Sequence, residues 1–102
     1  MPSLEQLEKL LAVDPGDAFL LYGMAQEHSK QGGHGKAVEF YDRCLAGDPA
    51  YCYAYYHKAR SLESMGKRDD AVATLRAGLK AAKAASDSHA ASEISAFLDE
   101  LT

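Results

Sequence analysis

The chain has 102 residues, 47% of them apolar and 25% charged, a globular mixture that excludes wholesale disorder and fits one domain. The formal net charge of −4 excludes the dense basic stripe of a nucleic-acid binder. No stretch approaches the ~18 consecutive apolar residues of a membrane span. Met1-Pro2-Ser3-Leu4-Glu5 has neither the basic nor the long apolar region of a leader. Cys44 and Cys52 are too few for a disulfide framework or a zinc site. Reduced thiols in a cytoplasmic protein are therefore expected.

In chain order, Ser3 offers a capping hydroxyl, and Leu4, Leu7, Leu10 and Leu11 then recur at helical spacing. Asp14-Pro15-Gly16 stops that helix, because proline disfavours helical geometry in the residue before it. Asp17 is the expected N-cap of a helix over 18–31, ended by Gly32-Gly33. A helix over 35–47 follows, with Ala37, Val38, Tyr41, Cys44 and Leu45 on one face, and Pro49 breaks it. Helix 51–65 ends at Gly66. The next starts near Asp69 and runs to about residue 84, since no proline stops it. Ser86-Asp87-Ser88 caps a final helix over 88–101, apolar through Ala91, Ile94, Phe97, Leu98 and Leu101 and polar through Ser92, Glu93, Asp99 and Glu100. Such a one-sided helix suits the end of a stack of repeats.

The segment Leu11-Ala12-Val13-Asp14-Pro15 returns 34 residues later as Leu45-Ala46-Gly47-Asp48-Pro49. Residues 18–51 laid over 52–85 match at Tyr22/Tyr56, Ala25/Ala59, Gly32/Gly66, Ala37/Ala71, Val38/Val72 and Leu45/Leu79. Small residues fall where two helices touch, glycines between helices, and apolar residues at helical spacing. This pattern resembles the tetratricopeptide repeat, W-x2-L-G-x2-Y, then A-x3-F, then P. The first copy fills the slots with Leu21, Met24, Ala25 and His28, then Ala37, Tyr41 and Pro49, with Cys44 as the later small residue. The second uses Tyr55, Lys58, Ala59 and Leu62, then Ala71 and Leu75, with Gly78. It departs from the family in lacking tryptophan, in placing Lys58 in an apolar slot and His28 in an aromatic one, and in having no second proline. The resemblance implies an all-α, right-handed solenoid of antiparallel helix-turn-helix units, about six helices in one domain. Its parts are an N-terminal capping helix at 3–15, repeats at 18–51 and 52–85, and a C-terminal capping helix at 86–102.

In proteins of this kind, ligand peptides lie in the groove formed by the first helices of the units. The face beside the core reads Phe19, Tyr22, Gln26 and Ser29, then Tyr53, Tyr56, Arg60 and Glu63, each set on one side of its helix. Tyrosine and arginine are the residue types most often found at interface hot spots. Tyr22 and Tyr56 equally suit packing between stacked helices. Some family members clamp a partner's terminal carboxylate with lysines and asparagines; this chain has no asparagine, and that ligand is not expected. The implied role is a non-catalytic module binding a protein or peptide, with no nucleic acid, membrane, metal or cofactor. A second reading is a self-associating structural unit, a weak homo-oligomer joined through Phe97, Leu98 and Leu101 or through the tyrosine face.

Catalysis finds no constellation here. His28, His34, His57 and His89 form no i, i+4 pair, and no H-E-x-x-H, P-loop or G-x-S-x-G occurs. Gly32-Gly33-His34-Gly35 falls at the turn between helices. Cys44 occupies a small-residue slot and reads as buried and inert. Cys52 opens a helix, a position that lowers thiol pKa. Residues 58–83 carry seven bases against three acids, either as solvated helix faces or as a strip that orients an acidic partner.

Overall fold

The computed structural model describes residues 2–102, and among these there are six helices and no strand. They are α1 (Leu4–Val13), α2 (Ala18–Lys30), α3 (His34–Gly47), α4 (Cys52–Ser64), α5 (Arg68–Ala84) and α6 (Ser88–Leu101). The helix starts follow local hydrogen bonding. Ser3 and Gln6 form a capping box, in which the Gln6 N–H donates to Ser3 Oγ at 3.2 Å and the Ser3 N–H to Gln6 Oε1 at 2.9 Å. Asp17 Oδ1 accepts from the Leu20 N–H and Asp87 Oδ1 from the Ala90 N–H, satisfying donors that have no partner within the helix.

Two kinds of ending alternate. α1 and α3 stop at Asp14-Pro15 and Asp48-Pro49. α2 and α4 end in left-handed glycines, Gly32 (φ 82°) and Gly66 (φ 76°). The following N–H groups reach back, Gly33 to His28 O at 2.8 Å and Lys67 to Leu62 O at 2.9 Å. α5 has no proline to stop it and runs to 17 residues against 14 in α3. It then closes with the glycine-type turn on a serine: Ser86 has φ 56°, and the Asp87 N–H donates to Ala82 O at 2.9 Å.

Each helix packs on the next in sequence, and α4 also touches α2 and α6, whereas α1, α3 and α5 do not approach one another. The result is a two-row helical repeat in which α2, α4 and α6 form the tighter, inner row. The core follows the apolar stripes. Leu7, Leu21, Met24, Ala25, Ala37, Tyr41 and Cys44 are buried between α1, α2 and α3. Ala59, Leu62, Ala71, Leu75, Ile94, Phe97 and Leu98 are buried between α4, α5 and α6. Each large side chain so buried contributes roughly 1.5–3 kcal/mol. Lys58 keeps its stem in the slot that Met24 fills one period earlier and sends its ammonium out to Asp42 Oδ1 on α3, 2.6 Å away. His28 stacks on Phe40, ring centroids 5.3 Å apart. The burial of Phe97 and Leu98 corrects one expectation: those two side chains serve the core and are not an exposed rim through which copies could join.

A candidate interaction groove on the inner helices

The inner row carries a connected series of rings. Tyr22 on α2 lies 4.8 Å from Tyr51, 6.0 Å from Tyr41 and 5.9 Å from His57. His57 lies 5.1 Å from Tyr56 on α4, and Tyr56 reaches Tyr53 at 6.4 Å and Phe97 of α6 at 5.4 Å. Tyr53 then meets His89 of α6 at 6.4 Å. Tilted and edge-on pairs at such separations stabilise one another beyond their area burial, so the row is a preformed surface rather than a set of independent side chains.

Of the residues read from the sequence, Tyr22, Tyr53 and Tyr56 join this series directly and half-buried. Gln26 joins through a hydrogen bond, its Nε2 donating to the Tyr22 hydroxyl at 2.6 Å. Phe19 stands at the near end of α2, 71% exposed. Arg60 is exposed on α4 and forms no ion pair among the described residues. Ser29, half-buried, and exposed Glu63 lie further along α2 and α4, outside the ring series. Three members were given no place on this face by the sequence: Tyr51, His57 and His89; Phe97 was read there only as an apolar residue of the last helix. Tyr51 sits in the turn before α4 and folds back on Tyr22 only because Asp48-Pro49 reverses the chain. His57, half-buried, and His89, exposed, carry no apolar signal that would place them beside the tyrosines.

Burial sets the protonation states. Desolvation raises the Tyr22 phenol, opposed by the Gln26 hydrogen bond. It pushes Tyr51 up to about 12, with the neighbouring Tyr22 adding to the shift. These hydroxyls are neutral donors and acceptors at physiological pH. His57 moves the other way: desolvation, then the Arg60 charge, lower its pKa, with Glu93 opposing.

Both thiols are buried and favour the protonated form. Burial pushes Cys44 up to about 11, with Asp48 adding to the shift. Cys52 reverses the expectation drawn from its helix-opening position. It is buried, its Sγ donates to Ala50 O at 3.3 Å, and desolvation with the Asp87 charge raises its pKa. The cost of burying a thiolate outweighs the helix terminus. Among the described residues, no helix is long and apolar enough to cross a membrane.

Comparison with known proteins agrees with this geometry. The tetratricopeptide repeat profile matches residues 53–84. A TPR repeat-containing protein of Pseudomonas aeruginosa is 29% identical over 98 residues, spanning 96% of this chain and 93% of that one. The solution structure of a tetratricopeptide repeat domain protein from Salinibacter ruber is 30% identical. It covers 86% of this chain and 89% of its own, with a TM-score of 0.80. PcrH, in complex with the chaperone binding region of PopD, has a TM-score of 0.90 at 19% identity, over 96% of this chain and 74% of that one.

Proposed function

The chain belongs to the tetratricopeptide repeat family, and from that premise we propose that it is a non-catalytic protein–protein interaction module of the cytoplasm. It holds a peptide or protein partner across α2, α4 and α6. Residues 18–51 and 52–85 act as the two repeats, with 3–15 and 86–102 as caps. The observation that carries the reading is the unbroken ring series from Tyr51 and Tyr22 through His57 and Tyr56 to Tyr53 and His89, flanked by exposed Phe19 and unpaired Arg60. Rigid aromatic rings offer contact area at little cost in rotamer entropy, and an arginine beside them supplies a directional charge. The complex of PcrH with a region of PopD is a case of this fold holding a polypeptide. Tyr22, Gln26, Tyr53, Tyr56 and Arg60 form the centre of the binding face, with Phe19, Ser29 and Glu63 at its margins.

The test replaces exposed Phe19 and Arg60 together with half-buried Tyr53, as Phe19→Ala, Tyr53→Ala and Arg60→Ala, and compares affinity capture from native lysate with wild type by quantitative mass spectrometry. Lys36→Ala, exposed on the outer row, serves as the control. Loss of the captured partner in the triple variant alone is expected. Recovery of the same partners at wild-type levels would sink the groove assignment.

A further inference from the structure

The repeat register bears on the two ends of the stack. Inside it, an inner helix meets the following outer helix with a large side chain against a small one: a Cβ built on Gly78 of α5 would lie 2.6 Å from Tyr55 Cβ of α4. At the C-terminal end the inner helix is α6, whose fourth residue is Ala91 where the fourth residue of α4 is Tyr55. Here the inner side is the small one. Beside it runs a groove of about 430 Å³ between α5 and α6, floored by Ala91, Ser92, Ser95 and Ala96. At the N-terminal end stands α1, an outer-row helix with no inner helix before it among the described residues. Two periods before Gly78 it carries Leu10, 49% exposed, and two periods before Ala81 it carries Val13, 86% exposed. The large side chains are on α1 and the small ones on α6, the reverse of the interior order.

Charge follows the same division. A second groove of about 430 Å³ on α5 and α6 is rimmed by Arg76, Lys80 and Lys83, with Leu79 and Leu98. α1 and its C-cap carry Glu5, Glu8 and Asp14 against one base, Lys9. In a chain of net charge −4, this rim is the local exception.

We infer that the chain associates with itself head to tail, α1 of one copy seating on the α5–α6 grooves of the next. Leu10 and Val13 fill the space over Ala91, and the acids of α1 meet the basic rim. A contact between two different surfaces of one chain does not close on itself, so assembly continues past the pair unless a ring forms. One helix offers a small interface. Ser92, Ser95 and Asp99 line the groove with polar groups that association must desolvate, so it is weak and reversible. Its charged rim makes it salt-sensitive. The expectation of a homo-oligomer through Phe97, Leu98 and Leu101 or through the tyrosine face is thereby shifted to the α5–α6 grooves, where Leu98 is a lining residue.

Light scattering with sedimentation across micromolar to millimolar chain tests this. For wild type, the weight-average mass is expected to rise with concentration beyond that of a pair and to fall with added salt. Leu10→Glu with Val13→Glu removes the rise, as does Lys80→Glu with Lys83→Glu. All four positions are solvent-exposed, and circular dichroism verifies folding, with Val13→Glu alone as the milder version. Mixing the two double variants leaves one intact head and one intact tail. Association is then expected to return and to stop at pairs. A wild type that stays monomeric overturns the inference. So does either double variant assembling like wild type, or a mixture no more associated than its components.

Discussion

Gly78 on α5 faces Tyr55 on α4 so closely that no side chain fits between them: an added Cβ would stand 2.6 Å from Tyr55 Cβ and 3.4 Å from Ile94 Cδ1. Alanine normally improves a helix by about 1 kcal/mol over glycine. Here the backbones of α4 and α5 must separate to admit it, and overpacking of this kind costs roughly 1–3 kcal/mol. Gly78→Ala is expected to lower stability by about 1 kcal/mol net, read as a lower urea midpoint at unchanged slope. A midpoint at or above wild type would show that α5 shifts freely and that the close approach is not a constraint.

Lys58 stands in a family slot that asks for an apolar residue, and its pairing with Asp42 explains why it is tolerated. The Lys58 side chain is 23% exposed and Asp42 53%. Asp42→Ala leaves the ammonium of a partly buried lysine unpaired and is expected to cost about 1 kcal/mol, below the value for a fully buried pair because water still reaches both groups. Lys58→Met restores the chemistry of Met24 and leaves Asp42 in solvent. It is expected to match or exceed wild type in urea denaturation. If Lys58→Met lost more than Asp42→Ala, the stem would not be packing as a methionine does.

These two positions also show what the sequence discloses. Gly78 was legible because its slot recurs at the period of 34 and is filled by Cys44 in the other unit; helix bounds were legible because proline, glycine and capping side chains fix them locally. The six helices followed from periodicity and local stop signals, and the choice of the face holding Tyr22, Tyr53, Tyr56 and Arg60 from the resemblance to the tetratricopeptide repeat. The partners of those residues did not. The Lys58–Asp42 pair joins different units of the stack and the Tyr51–Tyr22 contact joins the turn between those units to α2, and their geometry depends on how consecutive units rotate. Cys52 was misjudged for a related reason: a helix terminus is a local feature, while the burial that decides its thiol comes from the packing of α5 and α6.

Ser86 is the one non-glycine residue among those described with positive φ, at 56°. It occupies the turn position held by Gly32 and Gly66 after α2 and α4. An L side chain in that region costs about 1–2 kcal/mol, while glycine at the same place returns part of this through the greater freedom of the unfolded chain. Ser86→Gly is therefore expected to stabilise by about 0.5–1 kcal/mol, with a raised thermal midpoint. Ser86→Val, branched at Cβ, is expected to destabilise, since branching makes positive φ a stronger outlier. The order Gly above Ser above Val is the measurement; Val equal to Gly would mean that the turn relaxes out of the left-handed region.

His57 links α2 and α4 through its contacts with Tyr22 and Tyr56, and its protonation is coupled to that packing. Its folded-state pKa is lowered from 6.5, by desolvation first and by Arg60 second, against the pull of Glu93. The folded chain therefore binds fewer protons at this site than the unfolded chain as the pH drops through and below 6.5. Stability rises with pH wherever the unfolded state binds more protons, so the contribution of neutral His57 is present above 6.5 and lost on acidification. The expected result is a larger fall in the urea midpoint between pH 7.5 and pH 5 for wild type than for His57→Phe, which keeps a ring between the tyrosines and cannot titrate. The two proteins differ at no other residue, so the difference between the two slopes isolates position 57. Equal slopes would mean that His57 protonates in the folded state as readily as in the unfolded chain, and that the contacts of Tyr22 and Tyr56 do not depend on its charge.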